Sequence, residues 1–233
     1  SLAPPAQINV GLLGMGVVGG GVAAALIEQS SDMALKIGRP VKLKKALVRD
    51  LGKHTGANLP PGVLTTIPEE ILNDNDIHVV VEVMGGTQPA ASYVKQALAS
   101  GKHVVTANKE AIAKYGPGLI SLAYRKGVNL LYEASVGGGI PIVGSLMRDL
   151  AANNVHSIKC IINGTTNYIL TRMANDGAEF SRALSEAQQR GYAEADPTND
   201  VEGIDAVYKI SILASLAFHR SVSPGDVYRQ GIT

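Results

Sequence analysis

The stretch INVGLLGMGVVG, residues 8–19, decides the fold. Ile8 to Leu13 is a short apolar run of strand length, and Val17 to Glu28 is rich in alanine, which favours a helix. The two meet at Gly14-Met15-Gly16-Val17-Val18-Gly19, which matches the pattern G-x-G-x-x-G. A strand, a tight turn and a helix are therefore predicted in that order.

Glycine is needed in this turn for physical reasons. The chain must bend sharply, its backbone must come close to a pyrophosphate, and the helix must pack tightly against the strand. The free N–H groups and the positive dipole end of the helix then face the phosphates. We therefore predict a dinucleotide-binding site with coenzyme contacts at Gly14, Gly16, Val17, Val18 and Gly19. A glycine-rich turn without a ligand is the alternative.

The residues after the second predicted strand bear on which nicotinamide coenzyme is bound. A carboxylate there favours the free ribose hydroxyls of NAD, whereas an arginine accommodates the 2′-phosphate of NADP. Both are present, as Arg49-Asp50, and Lys53 lies nearby. We predict NADP, held through Arg49, with NAD tolerated. A solvated strand end is the alternative.

Short runs rich in β-branched residues alternate with helical stretches after this point. Strands are predicted at residues 44–48, 77–83, 103–106 and 128–132, and helices at residues 89–100 and 118–126. Such alternation favours a parallel sheet with right-handed crossovers and helices on both faces. The predicted fold class is α/β, with a Rossmann-type dinucleotide-binding domain.

The pattern changes at about Val136, where we place a domain boundary. Beyond it we predict a helix at 141–152, a strand at 155–162, helices at 167–175 and 179–190, a polar loop at 192–200 and a last helix at 203–218. This mixture indicates part of an α+β domain. The expected domains are residues 1–135 and 136–233.

Composition and charge exclude several classes of protein. Apolar residues make up 45% of the chain, charged residues 18%, and the net charge is +1, which are ordinary values for a soluble globular protein. They give no electrostatic reason to expect nucleic acid or an anionic membrane as a partner. Residues 1–7 contain neither a basic segment nor an apolar run, so we expect no signal peptide. No apolar run approaches the roughly 20 residues that a membrane-spanning helix needs.

The single cysteine, Cys160, is compatible with a reducing cytoplasm, where we expect the protein to be located. It lies within the apolar run at 158–162 and has no histidine close in sequence. We therefore predict a packed strand residue and not a nucleophile.

Several strings resemble homoserine dehydrogenases in their order and approximate spacing. They are EVMGG at 82–86, TANK at 106–109, YEASVGGGIP at 132–141, NGTTNYIL at 163–170 and GYAEADP at 191–197, followed by Asp200, Gly203, Asp205 and Lys209. The resemblance covers nearly the whole chain from Ile8. It implies the NAD(P)H-dependent interconversion of L-aspartate 4-semialdehyde and L-homoserine, in threonine and methionine biosynthesis. It also implies that residues 1–135 bind NAD(P) and that 136–233 are an incomplete catalytic substrate and dimerisation domain.

Elementary chemistry agrees with this resemblance. Reduction of an aldehyde needs a proton donor or cation beside the carbonyl oxygen, where negative charge develops. Lys109 follows a predicted strand at its carboxyl end, and Lys209 shares a helix face with Asp205 at i and i+4. Without the resemblance, an ordinary helix ion pair and a solvated lysine would explain the same residues.

The resemblance assigns roles to individual residues of the substrate site. It implies that Lys209 and Lys109 flank the reacting group, with Lys209 the favoured proton-transfer residue and Asp205 also catalytic. It implies that Glu194, Asp200 and Asp205 bind the ammonium group of an amino-acid substrate and orient water. Gly164 and Thr165 are expected to contact the substrate as well; helix capping alone, and an ordinary loop carboxylate at Glu194, are the alternatives.

Coenzyme and cation contacts are implied in the same way. The resemblance adds Gly85, Thr106 and Lys109 to the coenzyme site. It also implies a monovalent cation held by Glu133 and the backbone carbonyls of Val136, Gly138 and Ile140, because oxygen ligands suit a hard cation. A glycine turn beside a domain boundary explains that string equally well.

Homoserine dehydrogenases continue well beyond Ile232-Thr233, so we expect the chain to be truncated. The missing part normally closes the nicotinamide site and contributes to the dimer interface, and a homodimer is expected only of the complete protein. Two other hypotheses remain: a dehydrogenase of a related semialdehyde, and a nucleotide-binding fragment without turnover.

Overall fold

The computed structural model describes residues 5–54 and 58–233. Residues 1–4, which form part of the segment expected to lack a signal peptide, lie outside the described residues. The chain divides into two compact units, Ser1–Ser135 and Val136–Thr233.

The first unit is built on a parallel sheet of six strands. These strands are β1 (Ile8–Leu13), β2 (Val41–Leu47), β3 (Leu64–Thr65), β4 (Val79–Glu82), β5 (His103–Thr106) and β6 (Leu130–Leu131). Their order across the sheet is β3-β2-β1-β4-β5-β6, with every pairing parallel. This is the order of a Rossmann-type sheet, in which ligands bind beyond the carboxyl ends of the strands. The predicted fold class is confirmed.

Five helices and a 3₁₀ turn connect the described strands: α1 (Val17–Glu28), α2 (Ser30–Ile37), the 3₁₀ turn at Leu51–His54, α3 (Glu69–Leu72), α4 (Ala90–Ala99) and α5 (Lys109–Lys126). A second 3₁₀ turn, Glu133–Ser135, follows β6. The central strands have apolar side chains that are fully buried, among them Leu12, Val80 and Val104. Burial of both sheet faces explains why these strands read as continuous apolar runs.

Helix α5 begins nine residues earlier than the sequence predicted. We expected it to start at Gly118. Pro117 lies inside the observed helix, where a proline costs about 3 kcal/mol. The helix instead starts at Lys109, where the side chain of Asn108 caps it by accepting a hydrogen bond from the N–H of Ala111 at 3.0 Å. Burial of the helix face that includes Ile112 and Leu119 offsets the proline.

The second unit is helical in its described residues. Its helices are α6 (Gly164–Asp176), α7 (Phe180–Gln189), α8 (Thr198–Val201) and α9 (Ile204–Ala217), with a π-helical turn at Ser145–Asp149 and a 3₁₀ turn at Pro224–Asp226. Its apolar core consists of Ile169, Ala183, Ala187, Ala193 and Val201, with Ile232 packed against it.

The predicted strand at 155–162 is wrong. The segment is irregular, and none of its side chains is buried. A strand needs a hydrogen-bonded neighbour, and within the described residues every paired strand belongs to the first unit. The prediction of Cys160 as a packed strand residue fails with it, since the free thiol is exposed.

The predicted helix at 141–152 is also longer than the one observed. Regular structure there centres on the π-helical turn Ser145–Asp149, closed by the N–H of Leu150 donating to the carbonyl of Ser145 at 2.9 Å. Only Val143 and Leu146 bury apolar side chains. A helix with so little packed surface gains little stability from lengthening.

No helix in residues 5–54 or 58–233 combines the length and apolar character needed to cross a membrane.

Candidate functional site

The glycine turn between β1 and α1 has the geometry that the sequence predicted. Gly14 adopts a φ of 103°, which disfavours any residue with a side chain, and its N–H donates to the carbonyl of Leu47 at 3.2 Å. A Cβ on Gly19 would lie 2.0 Å from the carbonyl oxygen of Gly14. Only a hydrogen atom fits there, so the first turn of α1 packs directly on the loop.

Gly16, in contrast, faces open space. No atom lies within 4 Å of the position that its Cβ would take. Val17 and Val18, the first residues of α1, are 97% and 57% exposed, which is unusual for valine. The first N–H groups of a helix have no partner within it. The open space at Gly16, the exposed side chains of Val17 and Val18, and the first N–H groups of α1 together fit a dinucleotide pyrophosphate.

A buried polar network lies at the carboxyl ends of β4 and β5. The fully buried carboxylate of Glu82 accepts hydrogen bonds from the hydroxyl of Thr106 at 2.6 Å and the N–H of Met84 at 2.8 Å. Asn108 Nδ2 donates to Glu82 Oε1 at 3.4 Å and to the carbonyl of Gly86 at 2.7 Å. The network fixes the turn at Gly85 and Gly86 relative to the start of α5.

This network changes how Thr106 can serve the coenzyme site. Its side chain is buried and its hydroxyl is used by Glu82, so it supports the surrounding backbone. Gly85 is exposed in the turn, with φ 74°, and Lys109 is the partly buried first residue of α5. Sequence reasoning assigned no role to Glu82 or Asn108. The sequence signal for these two residues is a glutamate and an asparagine at or just after the ends of otherwise apolar strands.

Arg49 follows β2 closely and is exposed. The neighbouring Asp50 accepts a hydrogen bond from the N–H of Gly52 at 2.9 Å through Oδ1, which directs that oxygen into the local turn. Arg49 lies just beyond the carboxyl end of β2, where a substituent on the coenzyme ribose would be expected.

The second unit contains a cluster of charged residues centred on Lys209. Its Nζ donates to Asp205 Oδ2 at 2.6 Å and to the carbonyl of Ile162 at 2.8 Å. The two side chains are only 18% and 5% exposed. This ion pair is therefore not the solvated i,i+4 pair that the sequence left as an alternative.

Asn163 joins a second carboxylate to the cluster. Its Nδ2 donates to Asp205 Oδ2 at 2.9 Å and to Asp200 Oδ1 at 2.7 Å. The two carboxylates and the single ammonium leave one excess negative charge. A site of this kind can accept one cationic group while holding a proton donor beside it.

Other predicted substrate residues lie near the start of α6 or in the following loop. Gly164 is the first residue of α6, and the hydroxyl of Thr165 donates to the carbonyl of Tyr192 at 2.6 Å. The side chain of Glu194 is exposed. The structure brings Asp200, Asp205 and Lys209 together through direct hydrogen bonds and Asn163.

The four residues of the implied cation site are divided between the units. Glu133 lies in the 3₁₀ turn of the first unit, next to Ser135, whose buried Oγ has no hydrogen-bond partner among the described residues. In the second unit Val136 is buried, Gly138 has a φ of 59°, and Ile140 is exposed. The N–H of Ile140 donates to the carbonyl of Gly137 at 3.0 Å. No group of three or more His, Cys, Asp or Glu side chains in the described ranges is arranged to hold a metal.

Cys160 does not have the surroundings of a catalytic thiolate. Partial desolvation raises the pKa of its thiol. Activated cysteines have lowered pKa values and a nearby cation or base. That Cys160 is not the nucleophile stays a prediction, whereas its predicted packing was wrong.

Both units match models of a known protein family. The model described as the NAD-binding domain of homoserine dehydrogenase matches residues 14–133, and the model described as homoserine dehydrogenase matches residues 141–233. The homoserine dehydrogenase of Synechocystis is 50% identical over 225 residues, which cover 97% of this chain and 52% of that protein. The chain spans about half the length of the curated relatives it matches.

Solved structures of homoserine dehydrogenases also match the chain. A homoserine dehydrogenase from Thiobacillus denitrificans matches with a TM-score of 0.90 and 46% identity over 97% of this chain and 52% of that one. A hyperthermophilic archaeal homoserine dehydrogenase in complex with NADPH matches with a TM-score of 0.81 and 29% identity over 97% of this chain and 74% of that one.

Proposed function

Because the chain belongs to the homoserine dehydrogenase family, we propose that it supplies the coenzyme-binding domain and part of the catalytic domain of an enzyme that interconverts L-aspartate 4-semialdehyde and L-homoserine. The reaction would serve threonine and methionine biosynthesis in the cytoplasm, and a homodimer is the expected assembly of the complete protein. The observation that carries this proposal is the cluster of Lys209, Asp205 and Asp200, which combines a held ammonium with an excess negative charge.

The coenzyme is proposed to bind over the glycine turn. The open space at Gly16 and the exposed Val17 and Val18 fit a dinucleotide. We assign the turn at Gly85 and the backbone at Thr106 to the same site. A bound nicotinamide coenzyme supplies or accepts the hydride. Arg49 supports NADP as the preferred coenzyme, since an exposed guanidinium at this place can bind a 2′-phosphate in a bidentate manner.

Lys209 is proposed to act on the carbonyl oxygen of the semialdehyde. As hydride reaches the carbonyl carbon, the C–O π electrons move to oxygen, and the Lys209 ammonium transfers a proton there to give the alcohol. In the reverse direction the amine takes that proton back. Asp205, 2.6 Å from Nζ, holds the lysine in place. We assign Lys109 the second cation of the site on the family resemblance alone.

The carboxylates are proposed to recognise the amino group of the substrate. Asp200 and Asp205 carry the excess negative charge that an ammonium group would neutralise. Glu194, whose side chain is exposed, is proposed to join them in binding the ammonium group. Gly164 and Thr165 lie at the amino end of α6, where backbone N–H groups favour the substrate carboxylate.

A monovalent cation at Glu133 and the carbonyls of Val136, Gly138 and Ile140 also remains a proposal. The buried Ser135 Oγ beside Glu133 lacks a partner among the described residues, so the local chemistry fits a further ligand. The cation would order the turn and take no part in hydride transfer.

The test of the proposed function is a coenzyme-linked assay with L-homoserine, followed through the absorbance of the reduced nicotinamide. It is run on this chain and on the full-length protein, with other amino alcohols in parallel. Turnover of homoserine above the other substrates by the full-length protein is expected. Equal rates across the panel would instead favour a dehydrogenase of a related semialdehyde.

A second candidate function is supported by the open glycine turn, whose predicted coenzyme contacts all lie within the first unit. It is a nucleotide-binding module without turnover. Coenzyme binding to this chain without any homoserine oxidation, in the chain and in the full-length protein alike, would favour it.

A further inference from the structure

Asn163 uses every hydrogen-bonding group of its side chain within the second unit. Its Oδ1 accepts from the N–H of Thr166 at 2.8 Å and from the hydroxyl of that residue at 2.9 Å, which caps the start of α6. Its Nδ2 donates one hydrogen to Asp200 and the other to Asp205. The orientation of the amide is settled by these partners, because the reverse orientation would place Oδ1 against two carboxylates.

Helix capping explains only half of this arrangement. Asparagine, aspartate and serine cap helices about equally well, because each offers a side-chain oxygen to the first-turn N–H groups. Only asparagine at this position also offers two N–H donors on the opposite side. The bonds to Asp200 and Asp205 therefore need a residue that capping alone would not select.

The carboxylates that Asn163 joins come from different elements. Asp200 belongs to the short helix α8, whereas Asp205 and Lys209 belong to α9. The residue before Asn163, Ile162, accepts the other hydrogen bond of Lys209. Ile162 and Asn163, the two residues before α6, thus bind one charged side chain of α8 and two of α9.

We propose that Asn163 is a positioning residue of the substrate site: its amide holds the carboxylates of Asp200 and Asp205 at one fixed separation, ready for the ammonium group of the amino-acid substrate. This inference rests on the proposed function. Two carboxylates repel each other, and without a shared donor they would move apart or turn to water. A neutral amide offsets that repulsion without adding a positive charge that would compete with the substrate.

The test compares Asn163→Ser and Asn163→Asp with the unaltered full-length protein. Both variants keep the cap, so α6 should still form with its observed start, although the melting temperature should fall, and more in Asn163→Asp than in Asn163→Ser, because buried Asp205 loses a donor. We expect the KM for L-homoserine to rise about tenfold in Asn163→Ser, since hydrogen bonds to charged groups are lost. It should rise further in Asn163→Asp, where a third carboxylate faces the other two. The KM for the coenzyme should not change.

Asn175→Ala is the matched control, because Asn175 is an exposed asparagine in the last turn of the same helix. It should leave both KM values unchanged. A purely capping role makes a different forecast, in which serine, aspartate and asparagine at position 163 give the same KM. That result would overturn the inference while leaving homoserine turnover, and so the proposed function, intact.

A second measurement does not depend on turnover. Hydrogen exchange of the backbone amides in Thr198–Val201 should be faster in Asn163→Ser and Asn163→Asp than in the unaltered chain or in Asn175→Ala, because α8 loses its tie to α6. If the unaltered protein fails to oxidise homoserine but this difference appears, the proposed function fails and the link through Asn163 stands. Unchanged exchange in both variants would refute the link itself.

Discussion

Gly16 gives the most direct test of the coenzyme site at the level of one residue. Gly16→Val places its side chain in open space, so the fold should be retained. The same side chain would occupy the path of the pyrophosphate, and we expect NADP binding to be abolished in a calorimetric titration. Gly21→Val is the control, because Gly21 lies on the same helix with equally open surroundings. Unchanged NADP affinity in Gly16→Val would show that the turn does not bind the coenzyme.

Arg49 tests the choice between coenzymes. If its guanidinium binds the 2′-phosphate, Arg49→Ala should weaken NADP by the roughly 1.5 to 3 kcal/mol typical of hydrogen bonds to charged groups, and NAD hardly at all. Dissociation constants for both nucleotides measure the difference. Lys42→Ala removes an exposed positive charge from β2 and serves as the control for net charge. Equal losses for NADP and NAD would assign Arg49 no part in phosphate recognition.

Lys209 tests the chemistry itself. In the full-length protein, Lys209→Ala should lower kcat by orders of magnitude while coenzyme affinity stays near that of the unaltered protein, because the proton is needed only as hydride is transferred. Removal of the ammonium also leaves Asp205 buried without this partner, which can cost stability. Thermal unfolding of the same sample measures that cost.

Lys209→Arg separates the two effects. Arginine retains the positive charge beside Asp205 but cannot give up a proton in this pH range. We therefore expect the melting temperature to recover more than kcat does. Near-normal kcat in either variant would move the proton donor to Lys109 or to a bound water.

At the level of elements, α6 and α7 are joined by an ionic network that makes the second unit sensitive to acid. Glu186 on α7 accepts from Arg172 Nε at 3.1 Å and from Arg182 Nε at 3.2 Å. Partial desolvation opposes ionisation of Glu186, yet its two arginine partners lower its pKa below the ordinary value. A lowered pKa stabilises the folded state above the unfolded pKa of about 4.3, and that contribution is lost as pH falls through the folded value.

Glu186→Gln should therefore melt at a lower temperature than the unaltered chain at neutral pH, and the difference should disappear once the pH is below both pKa values. Melting curves over a pH series measure this. Asp149→Asn, at an exposed carboxylate of the same unit, should show no comparable difference. A difference that persists unchanged in acid would mean that Glu186 acts through packing and not through its charge.

Local sequence signals predicted some elements well and others poorly. Strand β1 and helix α1 have the predicted bounds, because the apolar run, the glycine turn and the alanines are all local. Helix α5 was predicted too short, since packing outweighed the unfavourable Pro117. The strand at 155–162 was predicted from its own composition, but a strand also needs a partner, which composition cannot supply.

The candidate sites show the same division. The glycine turn follows a local pattern with one physical purpose, so its geometry could be predicted from the sequence. The Lys209 cluster could be predicted only in part: the spacing of Asp205 and Lys209 is visible, but the amide that joins Asp205 to Asp200 lies 42 positions before Asp205. Contacts over such distances depend on how the helices pack. The hydrogen bond between Asn108 and Glu82, 26 positions apart, likewise depends on packing, so their polar character alone did not predict it.

At the level of the whole molecule, coenzyme binding can be tested on this chain, which spans about half the length of its relatives. The glycine turn, Gly85 and Arg49 all lie within the first unit, so we expect NADPH to bind to the chain as it stands. Ligand at a hundredfold excess over its Kd should stabilise the folded state by about 2.7 kcal/mol, a shift of several degrees in melting temperature. The same titration with Gly16→Val is the control. No shift at any NADPH concentration would mean that residues 1–233 do not bind the coenzyme by themselves.

Cys160 is a site for covalent labelling. It is the single cysteine of the sequence, and its thiol is exposed on the irregular segment two residues before the carbonyl that accepts from Lys209. A maleimide dye or spin label would therefore attach at one known position without any engineered cysteine. Because the thiol pKa is raised, labelling should proceed faster in mildly alkaline buffer than at neutral pH. A fluorophore there would report directly on the surroundings of the Lys209 cluster when substrate or coenzyme is added.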